Sequence, residues 1–211
     1  MRNSCQIHPI IDLLEMKEFF ANLPKDEKYL AQSLKSHILL RDIARAIDLL
    51  EDVTKDEQLF RLYWFLCLSL LATAEDVLNK DVKQYPEMHE TWKNRRNELN
   101  SMIKHYVRVG YSQCPNDFIY WCRLFHGERN NLIHEYIDGF SHDEDNLHLC
   151  ASPNDIYDED DFLNDKDLYR PMGNYDEFGD MDCRDFVTGG LQWWEHEIST
   201  LVHTFLCTES K

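Results

Sequence analysis

A chain of 211 residues and 25.2 kDa can bury one sizeable hydrophobic core or two small ones, and an apolar share of 43% excludes a disordered polypeptide. With only 7 Gly and 6 Pro, the turn-rich sandwiches, barrels and Rossmann folds are disfavoured and the composition leans towards helices. A formal charge of −17 argues against a protein that coats nucleic acid by bulk charge, while leaving room for an enzyme that touches RNA through a local basic groove.

The spacing predicts a short helix from Ile10 to Asn22, ended by Pro24. A second is predicted from Asp26 to Val53, with Leu30, Leu34, Ile38, Ala44 and Ile47 on its apolar stripe. The third, from Asp56 to Tyr85, has Arg61 as its only charge between Leu59 and Ala74 and reads as the central core helix. Its most apolar stretch, Leu62 to Ala74, is too short to cross a bilayer. A fourth starts after Pro86 and ends near Gly110, burying Met88, Trp92, Leu99, Ile103 and Tyr106. A fifth starts near Asp117 and runs, with a break, to Ile137. The last runs from Gly190 to Cys207 with Trp194, Ile198, Leu201 and Phe205 on one face.

Between the last two helices, residues 141–185 carry fifteen Asp/Glu and three Lys/Arg, a net of −12, with two Pro, two Gly and no helical period. This reads as a long acidic irregular insertion. It is either solvated or an arm that covers a basic groove or imitates nucleic acid. The chain is thus read as one domain, 1–211. Residues 1–25 form an N-terminal extension with its short helix, and 26–140 with 186–208 form the helical bundle.

The seven cysteines are scattered, without a CxxC pair, which reads as reduced thiols in a cytoplasmic protein; the first residues hold no apolar run of signal-peptide length. His-Glu pairs at His89, His134 and His196 have Lys93, Asp138 and Thr200 where a zinc HExxH site needs its second histidine, so none is a metal site. No metal, cofactor or membrane contact is expected.

The informative string is Glu128-Arg129-Asn130-Asn131-Leu132-Ile133-His134-Glu135-Tyr136. Arg129 supplies a permanent cation that can hold a phosphate and its transition-state charge. His134 titrates near neutrality and can move a proton. Those two groups are sufficient for RNA cleavage in which the ribose 2′-hydroxyl attacks its own phosphate. By spacing alone, an Arg and a His five apart on a helix are a common pair without function more often than a site.

The string resembles the signature of the HEPN superfamily (higher eukaryotes and prokaryotes nucleotide-binding domains): an Arg, a polar residue after it, and a His after four to six intervening positions. Arg129, Asn130 and His134 match it, and Tyr136 extends the match to the R-x4-H-x-Y form of HEPN toxins paired with nucleotidyltransferase antitoxins. The resemblance implies an all-α HEPN-like helical bundle with the motif on a late helix. It further implies a homodimer with a composite cleft and a metal-independent endoribonuclease acting as a toxin or defence effector. A partner such as an antitoxin or inhibitor protein would silence it. Arg129 and His134 would be catalytic, with Asn130 orienting one of them. Tyr136, in those toxins a modification target, would support the site or be modified. The long acidic insertion and the N-terminal extension depart from the minimal domain.

Supporting groups come from the residues themselves. Arg123 and His126 share an azimuth with His134 and could join the site. Lys93, Asn97, Asn100, Lys104 and Arg108 recur at helical spacing, which suggests an RNA-backbone stripe or a plain solvated face. Phe118, Cys122, Phe125, Leu132, Ile133 and Tyr136 define an apolar stripe that places Arg129 in its middle and His134 roughly 140° away. Either Gly127 breaks the helix, or the stripe faces a second subunit. A non-catalytic helical module that binds a nucleotide or a protein partner is the competing reading.

Overall fold

The computed structural model describes residues 19–53, 57–109, 117, 120–121, 124–125, 140–142, 147–149 and 183–209. Its elements are α1 (Lys25–Ser33), α2 (Lys35–Asp52), α3 (Glu57–Asp81), a 3-10 turn (Val82–Gln84), α4 (Pro86–Val109), the strands β1 (Phe140–His142) and β2 (Leu147–Leu149), and α5 (Cys183–Glu209). The fold is all-α, as the composition predicts. The one exception among the described residues is the antiparallel β1–β2 ladder, Phe140 opposite Leu149 and His142 opposite Leu147. It opens the acidic insertion with regular pairing where irregular chain is expected.

The expected short first helix does not reach Asn22. Residues Phe19 to Leu23 form a turn, and Phe20 takes a left-handed backbone conformation (φ 64°). That geometry is costly for a bulky residue. It is held by burial of the ring, by packing on His37 at 5.8 Å, and by donation of the Phe20 N–H to Glu195 Oε1 at 2.9 Å. The part of that helix before residue 19 lies outside the described residues.

The single helix expected over 26–53 is two. Leu34 is extended (φ −72°, ψ 145°) between α1 and α2, and no side chain of the local sequence caps α2. The buried Asp81, at the foot of α3, accepts the Ser36 N–H at 2.7 Å and serves an orphan donor of the first turn from 45 residues away. The break resets the helical phase. Ile38 turns outward, 59% exposed, while Leu39, Leu40, Ile43, Ala46, Ile47 and Leu50 face the core. Burying a side chain such as Leu40 or Ile43 contributes about 1.5–3 kcal/mol.

α2 and α3 run back along each other, as the Ser36–Asp81 contact requires. α3 buries Phe60, Trp64, Cys67, Leu68, Leu71 and Leu78, yet it is not enclosed: Leu59, Leu62, Phe65 and Leu66 turn to solvent, Leu62 at 58% exposure. The region Gln58–Gln84 is longer than the 62–74 stretch singled out by composition. It is the one helix among the described residues long and apolar enough, by those two criteria, to cross a membrane. The central helix is instead α5, which packs on α1, α2, α3 and α4 and touches β2. Its face of Trp194, Ile198, Leu201 and Phe205 is buried as predicted. It begins at Cys183, seven residues before the expected start at Gly190, so both glycines of the pair 189–190 are helix-interior.

α4 follows the prediction. Pro86 opens it, where a missing N–H costs nothing, and Met88, Trp92 and Leu99 are buried. The side chains of Ile103 and Tyr106 lie outside the described residues.

Candidate functional site

The motif itself, Arg129, Asn130, His134 and Tyr136, lies outside the described residues, as do the candidate supporting residues Arg123 and His126. The structure does describe the chain that leads into it. Asp117, Tyr120, Trp121, Leu124 and Phe125 fall at helical spacing and dock between α4 and α5.

Two devices hold this lead-in. The first is an aromatic cluster. Trp121 lies 6.1 Å from Trp92 of α4 and 5.9 Å and 6.0 Å from Trp193 and Trp194 of α5, and Phe125 stacks on Trp194 at 5.4 Å. Each indole N–H finds an acceptor. Trp92 donates to Asn79 Oδ1 (2.7 Å), Trp121 to Asn100 Oδ1 (3.0 Å), Trp193 to Asp117 Oδ1 (2.8 Å) and Trp194 to the Leu71 carbonyl (3.0 Å). An indole buried without an acceptor would cost about 1–3 kcal/mol, so these pairings also fix ring orientation.

The second device is a charged clamp. Arg95 of α4 donates through Nε and Nη2 to both carboxylate oxygens of the buried Glu197 of α5 (3.0 and 2.8 Å). Through Nη2 it also reaches Asp117 (2.8 Å), and through Nη1 it reaches Glu98 (3.0 Å). The planar fork suits this bidentate geometry in a way a lysine could not. The Glu197 hydrogen bonds, more than any other contact, keep the guanidinium protonated, outweighing its burial. Burial pushes the Asp117 carboxyl up. The hydrogen bonds from Arg95 and Trp193 and the charge of Arg95 outweigh it, and the group sits below its ordinary 3.8.

The α5 backbone is shaped to admit the lead-in. A Cβ at Gly190 would stand 2.6 Å from Leu124 Cδ2 and 3.2 Å from Phe125 Cε1. One at Gly189 would stand within 2.8 Å of the Tyr120 ring. Two glycines inside a helix lower its intrinsic stability by about 1 kcal/mol each relative to alanine, and here they permit the close approach.

Of the apolar stripe read from the sequence, Phe125 is buried, and Phe118, Cys122, Leu132, Ile133 and Tyr136 lie outside the described residues. Trp121 and Leu124, which the stripe did not include, are buried beside it. The proposed backbone stripe of α4 also divides. Lys93 is exposed and pairs with Glu90 at 3.2 Å, and Asn97 is exposed, but Asn100 is half-buried and its side-chain oxygen accepts the Trp121 indole N–H. The side chains of Lys104 and Arg108 lie outside the described residues. In the sequence Asp117 reads only as a helix start, and Arg95, Trp193 and Glu197 carry no motif. Only Arg95 and Glu98, three apart, carry a local signal, and the clamp itself joins residues up to 102 positions apart. No group of three or more His, Cys, Asp or Glu that could hold a metal ion occurs among the described residues.

No protein-family model, no curated protein and no solved structure matches the chain.

Proposed function

We propose that the chain is a metal-independent endoribonuclease of HEPN type, acting as a homodimer and serving as a toxin or defence effector held in check by a partner protein. The observation that carries the reading is the string Arg129-Asn130-x3-His134-x-Tyr136 in an all-α chain. The contacts of Asp117, Trp121 and Phe125 with α4 and α5 support it, because a catalytic pair needs a scaffold that fixes where its segment begins. In the proposed reaction the 2′-oxygen attacks the adjacent phosphorus and the P–O5′ bond breaks. The products are a 2′,3′-cyclic phosphate and a 5′-hydroxyl. His134 takes the 2′ proton or delivers one to the departing 5′-oxygen. Arg129 stabilises the charge that builds on the phosphoryl oxygens, and Asn130 orients one of the two. The attacking group is the substrate's own hydroxyl, so this route needs no cation to generate a nucleophile, and DNA offers none.

The test is purified protein with RNA and with the same sequence as DNA, with and without a chelator. Cleavage is expected to survive the chelator, to spare DNA and to leave cyclic phosphate ends. His134→Ala is expected to lose roughly 10²–10⁴ in rate, and Arg129→Ala a similar factor, with Arg129→Lys partly restored. RNA decay that a chelator abolishes, or that proceeds unchanged in His134→Ala, overturns the assignment and leaves the non-catalytic binding module in its place.

A further inference from the structure

Towards the C-terminal end of α5, three side chains lie within reach of one another. Cys207 Sγ lies 3.7 Å from His203 Nε2, and His203 Nδ1 lies 2.9 Å from Glu27 Oε1 of α1. Cys207 is exposed, the His203 side chain is 60% exposed, and the Glu27 carboxylate is buried. The four-residue spacing puts Cys207 and His203 on one face of α5. Glu27 is brought to them by the packing of α1 on α5.

We propose that Cys207, His203 and Glu27 form a reactive-thiol site that undergoes thiol–disulfide exchange with low-molecular-weight disulfides, a property separate from RNA cleavage. The carboxylate accepts the Nδ1–H and so selects the tautomer whose Nε2 lone pair faces the thiol. Nucleophile, base and orienting acid are then within reach of one another, the general arrangement of an activated thiol. In the reaction the Cys207 S–H proton passes to His203 Nε2 and the thiolate attacks one sulfur of the disulfide. A new S–S bond forms to Cys207 and the old one breaks. The leaving thiolate takes the proton from His203. Cys207 is oxidised and half of the small disulfide is reduced.

The surroundings select this chemistry over acyl transfer. Cys207 sits in the last turns of α5, where free carbonyls rather than N–H groups are presented, so the helix end offers no oxyanion donors. Disulfide exchange needs none, because its leaving group is itself a stable thiolate. Among the described residues, the charged groups that the contacts place near the thiol are His203 on its own helix, Glu27 on α1, and Glu87 at the head of α4, whose Oε2 accepts the Thr208 hydroxyl at 3.2 Å. Two carboxylates and the helix C-terminus oppose a thiolate, and His203 is the group that must outweigh them. Cys67 provides an internal contrast: it is buried in the core, and burial pushes its thiol up to about 12.

The experiment treats the reduced full-length protein with oxidised glutathione across a range of pH and follows the mixed disulfide at Cys207 by peptide mass spectrometry. An ordinary thiol is only a few per cent ionised at pH 7. At pH 7 wild type is expected to react several-fold faster than His203→Ala, because the positioned imidazole takes the S–H proton as the sulfur attacks. The two curves are expected to converge at high pH. As pH rises, solvent base removes the thiol proton without help from the imidazole, and the variant's rate approaches that of wild type. Glu27→Gln, which keeps the shape, is expected to fall between them at pH 7. Equal rates at pH 7, or a loss in His203→Ala that is uniform across pH, overturn the proposal, since a change of exposure alone moves every pH alike. RNA cleavage has no part in the readout.

Discussion

The clamp on Asp117 is decided by one side chain. Glu197 and Asp117 face each other across Arg95, and removing the guanidinium leaves two carboxylates, one of them buried, with a single indole between them. Arg95→Ala is expected to destabilise the fold by about 3 kcal/mol, the low end for a buried pair, because Arg95 keeps a quarter of its surface in water. Arg95→Lys should recover part of it, as charge without the fork. Urea denaturation measures both. The pH dependence has a definite sign. Asp117 titrates below its ordinary 3.8 in the folded chain, so its contribution is present above that value and lost as pH falls through the folded one. The gap between wild type and Arg95→Ala is therefore expected to narrow below about pH 4. A gap that is constant down to pH 2 would place the stabilisation elsewhere. None of this is legible from residue types, since Arg95 sits in the run Lys93-Asn94-Arg95-Arg96 and looks like any solvated cation.

At the scale of elements, helices announced by local chemistry were readable and breaks made by tertiary contacts were not. Pro86 writes the start of α4 into the chain. The break at Leu34 is written 45 residues downstream, in Asp81, and shifts Ile38 from the expected core to solvent. Gly190 misleads in the opposite way: it resembles a helix boundary and is an interior gap for Leu124. The pair of glycines yields a test with opposed terms. An alanine at either position gains up to about 1 kcal/mol of helix propensity. At Gly190 the new methyl meets the fully buried Leu124, which has nowhere to go, and overpacking of about 1–3 kcal/mol should leave Gly190→Ala less stable than wild type. At Gly189 the obstacle is the ring of Tyr120, only half-buried, which can swing aside. Gly189→Ala is expected to be the more stable of the two variants in urea. The reverse order would show that the lead-in does not lie in the groove of α5. The motif string was equally readable in the sequence, but the scaffold that receives its lead-in depends on four tryptophans spread over 103 positions, which no local pattern connects.

For the molecule as a whole, the governing quantity is charge. At −17 the compact state repels itself, and most of the excess lies in one stretch. Stability is expected to rise with salt between about 0.01 M and 0.1 M, as the screening length falls from about 30 Å to about 10 Å. Deleting residues 143–182, β2 included, leaves −5 and should flatten that dependence. Thermal unfolding at a series of salt concentrations gives both slopes. If the acidic stretch covers a basic groove, the same deletion should also tighten RNA binding, by a factor that shrinks as salt rises.

The tryptophan cluster has an optical consequence. Trp193 and Trp194 lie 5.0 Å apart at an interplanar angle of 80°, with Trp92 and Trp121 within about one further ring width. Chromophores this close and this steeply inclined share their excited states, so the folded chain should carry an exciton couplet in its ultraviolet circular dichroism. Its emission should be quenched relative to separated indoles. Trp121 belongs to the lead-in and the other three to α4 and α5. The couplet and the quenching therefore report, without any label, whether the chain that ends at the Arg129–His134 motif is seated on its scaffold.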